Sequence, residues 1–117
     1  MTPQEVCLQM IRDASFNNFD GPAVADSLIA NRGLWSAAIM TRLDDLIVLR
    51  DLSDGWNIDT LFVLPVPGKE AELVALAQKW NADEVDWIGG DKACALLGSW
   101  SAEKKVNPQQ ILRVWFD

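Results

Sequence analysis

Three acidic residues beside a tryptophan form the group of this sequence with the clearest chemical potential. Asp83, Glu84 and Asp86 lie within the four positions that precede Trp87. A carboxylate held in a cleft can act as a general base, which makes Glu84 and Asp86 the catalytic candidates. A solvated strand edge has the same composition, and it is the interpretation that the sequence favours.

Two further patterns resemble ligand-binding motifs but lack their spacing. Asp44, Asp45, Asp51 and Asp54 carry carboxylates of the kind that bind Ca²⁺ or Mg²⁺, yet their spacing matches no metal loop. They predict solvated turns, and no metal site is expected. Residues 89–92, Gly-Gly-Asp-Lys, match half of a phosphate-binding loop, and alone they predict a turn followed by a helix cap.

The composition removes several function classes. The 117 residues include no histidine and no tyrosine, and the missing histidine excludes Ser-His-Asp and Cys-His catalysis and histidine metal sites. The length predicts one domain over residues 1–117, and the hydrophobic half of its residues predicts a packed core. The formal net charge of −7 argues against nucleic-acid binding, which needs clustered Lys and Arg.

The cysteines and the N-terminal residues indicate a reducing compartment. Cys7 and Cys94 stand apart among apolar neighbours, as buried thiols do, and form no Cys-x-x-Cys pair. Residues 1–5 lack the basic and apolar regions of a signal peptide, and no apolar run has the length of a membrane span. We therefore expect a cytoplasmic protein without a membrane partner.

Four segments have the apolar spacing of helices. The first begins with Thr2, Pro3 and Glu5, which fit a capping box with proline at the first helical position. The second begins near residues 20–22, and the fourth begins with Asp91 as its N-cap. The third segment carries an apolar stripe made of Leu73, Leu76, Ala77 and Trp80, and it ends at Asn81.

Five segments predict strands, at 34–42, 46–49, 56–64, 85–88 and 111–116. The first three are separated by turn residues at 43–45 and 51–55, which predicts an antiparallel meander. The complete order is α-α-β-β-β-α-β-α-β. We expect a single α+β domain with a mostly antiparallel, mixed sheet flanked by helices.

This order resembles the acyl-CoA N-acetyltransferase superfamily of the GNAT type. Residues 59–65, Asp-Thr-Leu-Phe-Val-Leu-Pro, look like the family's fourth strand, which ends in Val-x-Pro before a pyrophosphate loop. Residues 85–98 look like its fifth strand and fourth helix. The rhythm of residues 72–100 is also similar to that of small GNAT-like proteins carried by tailed bacteriophages.

The resemblance implies a CoA-dependent N-acyltransferase with Glu84 or Asp86 as its base. It implies that backbone groups of four residues would hold acetyl-CoA, namely Val63, Leu64, Gly68 and Lys69. Active members use a basic, glycine-rich loop here, whereas residues 66–72 contain one glycine, one lysine and two glutamates. The tyrosine that many members use as general acid is also missing. These departures favour a GNAT-like scaffold that has lost acyl transfer and needs no cofactor.

The six tryptophans are the least common feature of the composition. Trp35 and Trp56 stand at the starts of predicted strands, where side chains are often partly exposed, and exposed tryptophan is enriched in interaction hot spots. Both are therefore candidates for a partner surface, to which at least one of them would belong. The other four occupy apolar positions and predict core residues, namely Trp80, Trp87, Trp100 and Trp115.

The favoured function is that of a small acidic module that binds a protein partner, with a basic partner suited to its charge. One alternative is the CoA-dependent acyltransferase, and a second is a structural subunit of a larger assembly. A homo-oligomer stays open.

Overall fold

The computed structural model describes residues 1–14, 18–41, 49, 58–97 and 110–117. Two short 3₁₀ helices, Arg32–Leu34 and Gln78–Trp80, accompany the helices and strands of this part. The helices are α1 Pro3–Asp13, α2 Gly21–Ala30, α3 Glu70–Ala77 and α4 Gly90–Leu97. The strands are β1 Trp35–Thr41, β2 Thr60–Pro65, β3 Glu84–Ile88 and β4 Ile111–Trp115. The chain is therefore α+β, as the sequence predicts.

Local capping explains where the first two helices begin. Thr2 Oγ1 accepts from the backbone N–H of Glu5 at 3.2 Å, and the Glu5 carboxylate accepts from Thr2 N at 2.9 Å. The predicted capping box is thus confirmed. Hydrogen bonds from the Thr2 backbone and then its side chain hold the pKa of the Glu5 carboxyl below its ordinary value. Asp20 caps α2 by accepting from Ala23 N at 3.1 Å.

The last two helices follow the sequence with one correction. The backbone of Asn81 is left-handed, with φ of 61°, and ends the helical segment that α3 begins, as predicted. Helix α4 begins at Gly90, so Asp91 lies inside the first turn rather than at the N-cap. Its negative charge still suits that end of the helix dipole. No helix in the described ranges has the length and apolar character needed to cross a bilayer.

The strands form a sheet in the order β1-β2-β4-β3, and every described pair is antiparallel. The part of the sheet that the structure describes is therefore antiparallel rather than mixed. Because β2 pairs directly with β1 and β4, the predicted meander, with a strand at 46–49 between the first and third strands, is wrong. Leu49 has helical geometry and an exposed side chain, which contradicts a strand at that residue. The rest of 42–57 lies outside the described residues.

Helices cover both faces of the sheet. Leu61 and Val63 of β2, with Leu112 and Val114 of β4, belong to a core that also contains α1, α2 and α3 residues. The opposite face carries Phe62, which packs in a smaller cluster with Ala93 of α4. Because strand side chains alternate between faces, burial of both faces explains the continuous apolar run in β2.

Helices α1 and α2 approach each other most closely at a glycine. A Cβ atom built on Gly21 would lie 2.1 Å from Ala14 O and 2.4 Å from Ile11 O. Arg12 and Asp26 join the same two helices through an ion pair at 2.6 Å. This contact fixes α1 beside the sheet, where its first turn reaches β1.

Candidate functional site

Trp35 is a core residue and not part of a surface. Its side chain is 0% exposed, and its Nε1 donates to Leu28 O of α2 at 2.8 Å. The Arg32 guanidinium lies over the ring, 3.9 Å from its centroid, and donates to Trp35 O. The expectation that Trp35 is partly exposed and meets a partner is therefore wrong. Trp56, the other candidate, lies outside the described residues.

Of the four tryptophans predicted to be core residues, one is buried as predicted, two are only half-buried, and one is not described. Trp80 lies in the core and donates from Nε1 to Ser27 Oγ at 3.0 Å. Trp87 is half-buried and packs against the same core. Trp115 is also half-buried, and its Nε1 is a buried donor without an acceptor in the described part of the chain. Trp100 lies outside the described residues.

The turn that would hold a CoA pyrophosphate is filled by the chain's own carboxylates. The backbone N–H of Gly68 donates to both carboxylate oxygens of Glu70, at 3.1 and 3.2 Å. The Lys69 ammonium pairs with Glu72 at 3.5 Å. The Gly68 N–H donor and the Lys69 ammonium are thus already matched with carboxylates, and a phosphate would have to displace Glu70.

The strand residues implied in CoA binding have partners of their own. Val63 lies opposite Ala38 on one side and Leu112 on the other, so it is inside the sheet. Leu64 extends beyond the β4 ladder, and its carbonyl accepts from Ser36 Oγ at 3.4 Å. The backbone that the acyltransferase alternative requires therefore already has partners in the sheet, in β1 and β4 at Val63 and in β1 at Leu64.

Glu84 and Asp86 share one guanidinium. Both belong to β3, and Asp86 lies directly opposite Arg113 of β4. Arg113 donates to Glu84 Oε1 from both terminal nitrogens, at 3.0 and 3.2 Å, and to Asp86 Oδ1 at 3.4 Å. The Glu84 and Asp86 side chains are 55% and 56% exposed, whereas the Arg113 side chain is 17% exposed. The arrangement presents negative charge outward over a half-hidden positive charge.

Asp83 extends this acidic surface past the end of β3. Its backbone N–H donates to Trp115 O at 2.9 Å. Trp115 is also the residue that lies opposite Glu84 in the ladder. Its carboxylate accepts from the backbone N–H of Asp117 at 2.6 Å. We call the side chains of Asp83, Glu84 and Asp86 the β3 acidic row. The row holds three carboxylates against the single guanidinium of Arg113, so it keeps a net negative charge.

The opposite edge of the sheet is closed by Gln4 of α1. The Gln4 side chain donates from Nε2 to Ala38 O at 2.7 Å and accepts from Ala38 N at 2.8 Å. The amide thereby copies the two hydrogen bonds that a neighbouring strand would make with Ala38. Covering Ala38 in this way blocks strand pairing at the centre of the β1 edge.

The register then shows which backbone groups face outward at β3. Opposite residues of an antiparallel pair direct their N–H and C=O either toward or away from each other. The backbone N–H and C=O of Ala38 point away from β2. The backbone groups of Val63, which lies opposite Ala38, therefore point toward β4 and meet those of Leu112. The backbone groups of Leu112 therefore point away from β3, and those of Trp87, which lies opposite Leu112, point to the outer edge of the sheet. Val85 shares that orientation, because backbone directions repeat every second residue.

Sequence reasoning missed Arg113 and Gln4. Arg113 alternates with Leu112 and Val114 in a strand pattern, which indicates a polar face but not which carboxylates it contacts. Gln4 stands in the first turn of a helix, where a polar residue usually faces water. Each role depends on a partner more than twenty residues away in the chain.

Two further observations concern metal and redox chemistry. The described residues contain no group of three or more Cys, Asp or Glu side chains placed to hold a metal ion. Cys7 is a free, half-buried thiol, and its burial raises the pKa of its sulfur. The side chain of Cys94 and the carboxylates of residues 44, 45, 51 and 54 lie outside the described part.

Comparison with protein-family models, with curated proteins and with solved structures finds no match to this chain.

Proposed function

We propose that this chain is a small acidic module that binds a basic protein partner through the β3 acidic row. The observation that carries the proposal is the exposed pair of Glu84 and Asp86 above Arg113. The guanidinium fixes both side chains, so an incoming cation meets carboxylates that have already lost rotamer freedom. The net charge of −7 adds long-range attraction for a basic surface and raises its association rate.

The test uses hexalysine as the probe and calorimetric titration as the measurement. We expect Glu84→Gln/Asp86→Asn to weaken hexalysine binding by about tenfold, because two exposed ion pairs between the protein's carboxylates and the lysines of the probe are lost. The amide oxygens of the new residues can still accept from Arg113, which limits loss of stability. Binding should also weaken as salt is raised.

The matched control is Glu70→Gln/Glu72→Gln, which removes the same charge from α3. Both double variants have a formal net charge of −5, obtained as −7 plus 2. If the two variants weaken hexalysine binding equally, the attraction is that of the whole protein, and the proposal of a site at β3 fails.

We further propose that acetyl-CoA does not bind, because Glu70 and Glu72 occupy the donors of the Gly68-Lys69 turn. Titration of the protein with acetyl-CoA should produce no heat of binding, and its melting temperature should not change. Saturable binding at low micromolar concentration that Lys69→Glu abolishes would overturn this prediction and favour the acyltransferase alternative.

A GNAT-like arrangement of the elements remains part of the proposal. Its support is the order of the described elements, with two helices first and a β-α-β-α-β sequence after residue 60. It adds no binding residue to those of the β3 acidic row.

A further inference from the structure

We propose that the outer edge of β3 binds its partner by strand addition, taking an extended segment in which basic and apolar residues alternate. The inference rests on the proposed function, because it specifies how a basic partner would dock at the same acidic row. Four observations carry it: the asymmetry of the two sheet edges, the outward backbone groups, the alternation of side chains, and the charge.

The asymmetry concerns β1 and β3, the two edge strands of the described sheet. At β1 the outward groups of Ala38 already bind Gln4, so that edge is closed at its centre. At β3, Val85 and Trp87 direct their N–H and C=O groups away from β4. Each of these two residues can exchange a pair of hydrogen bonds with an added strand.

The two faces of β3 then select the side chains of the added strand. Glu84 and Asp86 share the face that carries Arg113, so residues opposite them should be basic. Val85 and Trp87 share the other face and pack against the main core, so residues opposite them should be apolar. The strand that fits is therefore an alternation of lysine or arginine with residues such as valine.

The spacing of the ladder favours this pairing. Because Val85 and Trp87 make the outer hydrogen bonds, Glu84 and Asp86 occupy positions without hydrogen bonds to the added strand. Opposite side chains come closest at such positions, so the lysines would lie near the carboxylates.

The same geometry disfavours a second copy of this chain as the occupant. A symmetric antiparallel pair that uses both Val85 and Trp87 would centre on Asp86 and place it opposite its own copy. Like charges directly opposite each other are destabilising in a sheet. Charge complementarity therefore favours a basic segment of another protein.

The probe is the blocked heptapeptide Lys-Val-Lys-Val-Lys-Val-Lys, compared with a peptide of the same composition in which four lysines precede three valines. We expect the alternating peptide to bind at least about tenfold more tightly, because only it matches both faces. Methylation of the backbone nitrogens of the valines should abolish this advantage. Methylation of the backbone nitrogens of the lysines should leave the advantage of the alternating peptide unchanged, because those backbone groups face away from β3.

Hydrogen exchange and two variants of the protein locate the contact. Bound peptide should slow amide exchange at Val85 and Trp87 and leave Asp86 unchanged, because the Asp86 N–H already faces β4. Val85→Pro should weaken the alternating peptide, since it removes an outward donor without breaking the sheet. Val85→Ala is the control for the lost side chain and should weaken binding of the alternating peptide less than Val85→Pro does.

The outcomes separate this inference from the function on which it rests. If both peptides bind equally and Glu84→Gln/Asp86→Asn weakens both, the acidic module stands and strand addition is overturned. If neither peptide nor hexalysine binds, both proposals fail. Tight binding of the alternating peptide with no change in exchange at Val85 and Trp87 would also overturn strand addition.

Discussion

Gly21→Ala should lower the free energy of unfolding by about 3 kcal/mol, at the upper end of what overpacking a tight contact usually does. The added Cβ would lie 2.1 Å from Ala14 O and 2.4 Å from Ile11 O. Both atoms belong to the backbone of the α1 C-terminal turn, so no side-chain rotation relieves the clash. Helices α1 and α2 would have to move apart, and the buried side chains between them would lose contacts.

Urea denaturation of Gly21→Ala and Gly33→Ala makes the measurement specific. A Cβ at Gly33 would meet no atom within 4 Å, so its variant should stay within about 0.5 kcal/mol of the wild type. Alanine favours helices over glycine by about 1 kcal/mol, which opposes the predicted loss at Gly21. A Gly21→Ala protein as stable as Gly33→Ala would contradict the close approach of α1 and α2.

The parts of the fold that depend on neighbours in sequence could be predicted from the sequence. The capping box of Thr2 and Glu5 operates over three residues, and Asp20 caps α2 over the same distance. Asn81 ends its helix because its own backbone adopts a left-handed conformation. In each case the interacting groups lie within one turn, so residue type and spacing contain the information.

Sheet order could not be predicted in the same way. Pairing of β1 with β2, and insertion of β4 between β2 and β3, depend on which apolar faces meet across the core. Turn residues at 43–45 and 51–55 suggest hairpins but do not determine which strands finally become neighbours. The expectation of a meander failed at this step.

The candidate site shows the same division. The acidic row was visible in the sequence as three carboxylates near Trp87, and a strand edge was the favoured interpretation. Its organisation was not visible, because Arg113 reaches Glu84 only through the β3–β4 register. The closure of β1 by Gln4 likewise needs the packing of α1 on the sheet. Without both facts the two edges of the sheet could not be distinguished.

Trp35→Ala should lower the free energy of unfolding by about 4 kcal/mol, because it deletes a large side chain that is 0% exposed. The loss has three parts: the cavity, the hydrogen bond from Nε1 to Leu28 O, and the stacking of Arg32 on the ring. The sequence could not reveal this burial. The position of Trp35 at the start of a strand does not indicate that Leu28 O of α2 and the Arg32 guanidinium contact its ring.

Trp35→Phe is the matched variant for this prediction, with urea denaturation again as the measurement. It keeps most of the ring volume and loses the indole donor, so we expect a loss of about 1 kcal/mol. Leu28 O still accepts from Asn31 N at 3.2 Å, so it is not left without a donor. Binding of the alternating peptide to folded Trp35→Phe should be unchanged. Weakened peptide binding by a Trp35 variant of wild-type stability would instead restore Trp35 to a partner surface, since a core residue affects binding only by altering the fold.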